Sequence, residues 1–147
     1  MSSFNLDRAR GRSIKIKSIL PIALFFISGS SLARAAIDPC VNVTVSQQVF
    51  ECSVHQKSKA ETELNAEYAK LKKRVSSQYL PQKALGDAYF STVQRAQRAW
   101  LKYREESCLI EAFELESGSE AHTTTVNNCV TKMNRTRTDE LKSLLKE

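Results

Sequence analysis

The chain has 147 residues, with 22 Lys and Arg against 16 Asp and Glu and a formal net charge of +6. Residues 1–35 hold six of those bases and one acid, a net of +5, which leaves 16 bases, 15 acids and a net of +1 in residues 36–147. The positive balance is therefore no sign of a nucleic-acid partner, and two glycines and two prolines beyond residue 35 leave room for long helices and little else.

Arg8, Arg10, Arg12, Lys15 and Lys17 precede an apolar run from Ile19 to Ile27, and Ala33-Arg34-Ala35 follows. A basic start, a short apolar centre and an A-x-A site form the pattern of a cleavable export signal. The basic residues would serve membrane orientation. The apolar run contains Pro21 and reaches only about half of the ~20 residues that span a bilayer, so no stable membrane anchor is expected after cleavage. Ile37-Asp38-Pro39 stands before Cys40, where a lipoprotein would carry small residues. Residues 1–35 thus read as a Sec signal peptide and residues 36–147 as a single soluble domain exported to a periplasm. All four cysteines, Cys40, Cys52, Cys108 and Cys129, lie in that domain. An even count in a small exported domain implies two disulfides.

Thr44-Val45-Ser46-Gln47 resembles a capping box, and a first helix is predicted from about Val45 to about Gln78. Leu64, Tyr68, Leu71 and Val75 recur at intervals of four, three and four, which marks one buried stripe. Pro81 breaks the pattern and sets the first connection. The second helix is predicted to begin between Gln82 and Asp87 and to run to about Glu116, with Val93, Ala96, Trp100, Tyr103 and Ile110 facing inward. Gly118 supplies a turn and Ser119 a cap. The third helix is predicted from about Glu120 to Leu145, with Val126, Val130, Met133, Leu141 and Leu144 inward. Arg137 falls on that side and needs a partner or a path to water.

Three long helices with short turns predict an all-α fold, an antiparallel bundle with an N-terminal extension. Cys108 and Cys129 stand equally far from a turn centred between residues 118 and 119, which puts them at one level of neighbouring helices. Cys40 and Cys52 are close in sequence. Level counting also sets Cys52 near Cys108, so three pairings are open in principle. Cys40–Cys52 with Cys108–Cys129 is the favoured one.

Enzyme signatures are scarce. His55 and His122 have no metal-ligand spacing to another His or Cys, and there is no C-x-x-C, P-loop, G-x-S-x-G or Rossmann pattern in the sequence. The expectation is a protein that is not an enzyme and uses no metal and no cofactor. Gln97, Trp100, Arg104 and Cys108 share one helical face. An arginine beside the core must find acceptors, and Glu61, Asn65 and Gln97 are its expected partners in a structural polar cluster. Leu64, Tyr68, Trp100 and Tyr103 are the expected core around it. A ligand-binding role for the same cluster predicts an open polar cavity beside Arg104.

The order Cys40, Cys52, Glu63-Leu64-Asn65-x-x-Tyr68, Ala96-Gln97-Arg98-x-Trp100-x-x-Tyr103-Arg104, Cys108, Gly118-Ser119, Cys129 and Arg137 resembles the LprI-type lysozyme inhibitor family. The resemblance covers nearly all of residues 36–147. It implies a small exported helical protein with four cysteines and a protein partner such as a lysozyme. No inhibitory residue is carried over from it.

Independently of that resemblance, no Lys or Arg occurs between Arg104 and Lys132, whereas Glu105, Glu106, Glu111, Glu114, Glu116 and Glu120 do. An acidic end attracts a cationic partner, and animal lysozymes are commonly basic. Glu114, Glu116, Ser119, Glu120 and His122 are therefore candidate partner-binding residues, with Ser119, His122 and Thr123 as donors toward an enzyme's carboxylates. The alternative function is a non-catalytic envelope adaptor or immunity-like protein with another exported partner.

Overall fold

A computed structural model describes residues 38–145. They form helix α1 over Ser46–Gln78, a short 3-10 turn over Leu80–Gln82, helix α2 over Lys83–Glu111 and helix α3 over Glu120–Ser143. The expected signal peptide lies outside the described residues. Among the described residues there is no strand, and no helix is long and apolar enough to cross a membrane.

The chain runs up, down and up. Helix α2 is antiparallel to both neighbours, which leaves α1 and α3 parallel, and those two make the most extensive pairing in the bundle. Both expected disulfides are present. Cys40–Cys52 fastens the segment before α1 to its second turn, and Cys108–Cys129 joins the last turn of α2 to α3.

Two apolar clusters hold the helices together. The larger contains Leu64, Leu71, Val75, Val93 and Leu141, with Tyr68, Tyr79, Tyr89, Phe90 and Trp100 packed around it. Leu71 and Leu141 are fully buried, each contributing about 1.5–3 kcal/mol relative to an exposed side chain. Tyr68 meets Phe90 with ring centroids 5.5 Å apart. The smaller cluster is Cys108, Cys129 and Val130, flanked by Val126 and Met133.

The stripe predicted for α1 is buried as expected, with Tyr68 half-buried at its edge. The stripe predicted for α2 is corrected. Tyr103 is 64% exposed and Ile110 75% exposed, and Ala96 is exposed too. The buried face is instead Gly86, Val93, Gln97, Arg104 and Cys108. The bridge sets this rotation. Cys108 must face α3, and at about 100° per residue Ile110 then lies about 200° away from it. Trp100 sits at the border, half-buried.

Helix ends also differ in detail. Val45, which has no side-chain acceptor, occupies the N-cap of α1, and Gln48 rather than Gln47 reaches back. Its Oε1 accepts from the Thr44 and Val45 backbone N–H groups at 2.7 and 3.2 Å. Helix α2 stops at Glu111, short of the expected Glu116. Successive turns bonded Phe113 to Ile110 and Leu115 to Ala112 bend the chain toward α3. Gly118 adopts φ 84°, a region that disfavours a Cβ. Ser119 then caps α3, its Oγ accepting from the His122 backbone N–H at 3.1 Å.

Candidate functional site

Arg104 stands at the middle of the molecule's polar interior. It is only 9% exposed. Its Nη1 donates to Asn134 Oδ1 of α3 at 2.8 Å, so the partner comes from α3 and neither Glu61 nor Asn65 fills that role. Its guanidinium also stacks over the Trp100 ring at 5.5 Å, an arrangement that stabilises a cation. Arg137 approaches the same ring at 5.7 Å. Of the partner or path to water expected for Arg137, partners are present: Nε donates to Gln97 Oε1 at 3.0 Å and Nη1 to Glu140 Oε2 at 2.8 Å. Gln97 thus serves Arg137 directly, while Arg104 Nε and Asn134 Nδ2 are buried without a partner.

A groove of about 390 Å³ opens beside this cluster, between α1 and α2. It exists because α3 packs mainly on α1 and holds α2 less closely against α1. Glu61, Asn65 and Tyr68 line one wall, and Gln94, Gln97, Arg98 and Arg104 the other. Leu64 and Leu101 contribute apolar surface. The four residues expected to form a structural polar cluster, Glu61, Asn65, Gln97 and Arg104, therefore border an open cavity.

A second feature lies at the end where α1 begins, α2 finishes and α3 begins. Phe113 is 84% exposed there, and Leu109, Ile110 and Leu115 are exposed with it. Val41, Val43, Val45 and Val49 are exposed around the start of α1. Glu105, Glu106, Glu111, Glu114, Glu116 and Glu120 share this end and are all exposed. Of the candidate partner-binding residues, Glu114, Glu116 and Glu120 are open to solvent, whereas Ser119 and His122 are half-buried and joined by the cap of α3. The acids of this end are legible in the sequence, whereas the apolar residues among them are not, because Ile110 falls on the stripe predicted to be buried. Their spacing after Cys108 was the available signal. Among the described residues no group of three or more His, Cys, Asp or Glu is placed to hold a metal ion.

A three-helix bundle with two disulfides, a polar cleft and an exposed apolar–acidic end defines a class of small disulfide-stapled helical proteins. Residues 40–141 match the family described as Lysozyme inhibitor LprI, and the chain belongs to that family. An uncharacterized protein of Rhizobium meliloti (strain 1021) is 33% identical over 115 residues, covering 74% of this chain and 80% of that protein. The crystal structure of a DUF1311 family protein from Pseudomonas putida KT2440 is similar with a TM-score of 0.63 and 29% identity, covering 72% of this chain and 99% of that one.

Proposed function

We propose that this protein binds and occludes a peptidoglycan-cleaving muramidase in the periplasm, through surface contact and without chemistry of its own. Residues 1–35 direct export and are removed, and residues 36–147 act as one oxidised domain. Family membership supports the reading. The observation that carries it is the end of the bundle at which Phe113 and Ile110 stand exposed among six glutamates. Apolar side chains give an interface its buried centre, and acids around them draw in a basic enzyme and exclude an acidic one. Glu114, Glu116 and Glu120 would form part of that rim. Ser119 and His122 would shape it from below by holding the start of α3.

The test is a turbidity assay of cell-wall lysis, run with the exported and oxidised protein against c-, g- and i-type lysozymes. Inhibition is expected for a basic enzyme, weakening as salt rises because the steering charges are exposed. The Phe113→Asp and Ile110→Asp variants should relieve it at an unchanged melting temperature. Unaltered lysis by all three enzyme types at about a tenfold molar excess, with a different envelope protein recovered in a pull-down, would replace this reading with the adaptor one.

A further inference from the structure

We propose that the outer face of α2 pairs two copies of this chain side by side in opposite directions, as a dimer with twofold symmetry. The pairing does not rest on the muramidase reading. Both uses engage Ile110 and Phe113, so one molecule serves only one of them at a time.

The rotation imposed by the Cys108–Cys129 bridge leaves apolar side chains on the solvent side of α2. Leu85, Tyr103 and Ile110 are 52%, 64% and 75% exposed, and Ala88, Ala96 and Ala99 are exposed between them. At about 100° per residue these six positions fall within about 80° of one another. Phe113, just past the last turn, extends the strip. Helix α2 has 29 residues and is therefore about 43 Å long. A face of that length offers on the order of 500 Å² per copy, the lower limit for a specific interface. A continuous apolar strip of this size marks an interaction surface.

The strip complements itself when reversed. A twofold interface brings the same patch of both copies together, so its two halves must match. With Ala99 on the axis, position 85 of one copy comes opposite 113 of the other, and 88 opposite 110. The first half of α2 borders a shallow cavity of about 440 Å³ lined by Leu85, Ala88, Thr92 and Ala96. Reversal delivers Ile110 and Phe113 of the second copy to that cavity, a large side chain against small ones. Tyr103 falls near the axis, at the centre of the interface, where buried aromatic side chains contribute most.

Charge selects the direction. The first part of α2 exposes Lys83, Arg95, Arg98 and Lys102 against one acid, Asp87. From Glu105 to Glu120 there are six acids and no base. Reversed pairing sets each basic half against an acidic one, whereas parallel pairing sets like against like. Arg95 and Glu106 are the clearest pair. They stand about three turns apart on one side of the strip, so reversal brings Arg95 of each copy within about one turn of Glu106 of the other. Arg95 donates to the hydroxyls of Ser91 and Thr92 at 3.1 Å. Among the described residues, neither it nor Glu106 is in an ion pair.

The test is sedimentation equilibrium of the exported, oxidised protein from about 5 μM to about 1 mM. A reversible dimer is expected at low salt, with a dissociation constant on the order of tens of micromolar. It should weaken several-fold as salt rises from about 0.05 to about 0.5 M, because the flanking charges are exposed. Leu85→Asp and Ala99→Arg, both at exposed positions, should each weaken it about tenfold or more and leave the melting temperature of the dilute monomer unchanged. Arg95→Glu and Glu106→Arg should each weaken it several-fold, and the double variant should restore it, since only reversed pairing joins those two positions. A monomer at about 1 mM, a dimer indifferent to Leu85→Asp and Ala99→Arg, or charge reversals without rescue would overturn the proposal. So would association that strengthens with salt, the mark of acidic ends meeting through Phe113, and association confined to chains that keep residues 1–35. No lysozyme enters the experiment, so its outcome is separate from that of the lysis assay.

Discussion

Glu67 is the most informative single residue on the buried face of α1. Its side chain is buried, and Arg74 Nη1 donates to it at 2.8 Å. Arg74 Nη2 continues to the Leu141 carbonyl at 2.8 Å, so one guanidinium ties α1 to the last turn of α3. Burial pushes the Glu67 carboxyl up. The Arg74 bond and charge, joined by Lys70, outweigh it and hold the group below the usual carboxylate range. A depressed folded value stabilises the protein above the unfolded carboxylate pKa, and that contribution is lost as pH falls through the folded value. Glu67→Gln should therefore cost about 1.5–3 kcal/mol near neutral pH, with the gap to the parent chain closing in acid. Urea midpoints between about pH 2 and pH 7 measure it, the transition falling below about 4.3. Neither Glu67 nor Arg74 stood out in the sequence as a pair. They are seven residues apart on the face of Leu64 and Leu71, where a charge is normally taken for an edge residue. Arg104 did stand out, because it shares a face with Cys108. Its partner did not, because Asn134 lies 30 residues away and only the rotation of α2 brings the two together.

At the scale of the helices, periodicity and spacing were informative and helix rotation was not. Three helices and the two bridges were legible because apolar residues repeat at helical intervals and the cysteines fall at matching levels. The inward face of α2 was illegible because two patterns compete on it. Ala96, Tyr103 and Ile110 form an apolar row, while Gln97, Arg104 and Cys108 form a row that is polar apart from its cysteine. The covalent bridge selects the second, and the first is left facing out. A similar local constraint fixes the first connection. A Cβ on Gly86 would stand 2.8 Å from Tyr79 Cβ, in the part of the tyrosine with least freedom to move. Alanine would gain about 0.5–1 kcal/mol of helix propensity there, but overpacking typically costs about 1–3 kcal/mol. Gly86→Ala is therefore expected to lower the melting temperature by several degrees, measured by circular dichroism at 222 nm. A rise would show that Tyr79 yields freely.

Across the bundle, cohesion is divided between two kinds of bond. The end with the turn at Leu80–Gln82 holds the larger apolar cluster. The opposite end holds both disulfides and only a small cluster in which the cysteines themselves are members. Replacing Cys108 and Cys129 by serine should cost about 2–4 kcal/mol. Replacing Cys40 and Cys52 should cost less, since that bridge closes a loop of 12 residues against 21 and fastens an extension rather than two helices. Guanidinium melts of the two double variants rank them, and the reverse order would contradict the assignment.

Because the stapled end is also the one that presents Phe113 and the glutamates, the proposed recognition is tied to oxidation. A chain caught before its thiols close would retain the larger apolar cluster and lack the covalent platform at the other end. Such a molecule would lack the docking face that the proposed function requires. If the proposed function holds, maturity is then set by closure of the thiols rather than by how fast the helices form.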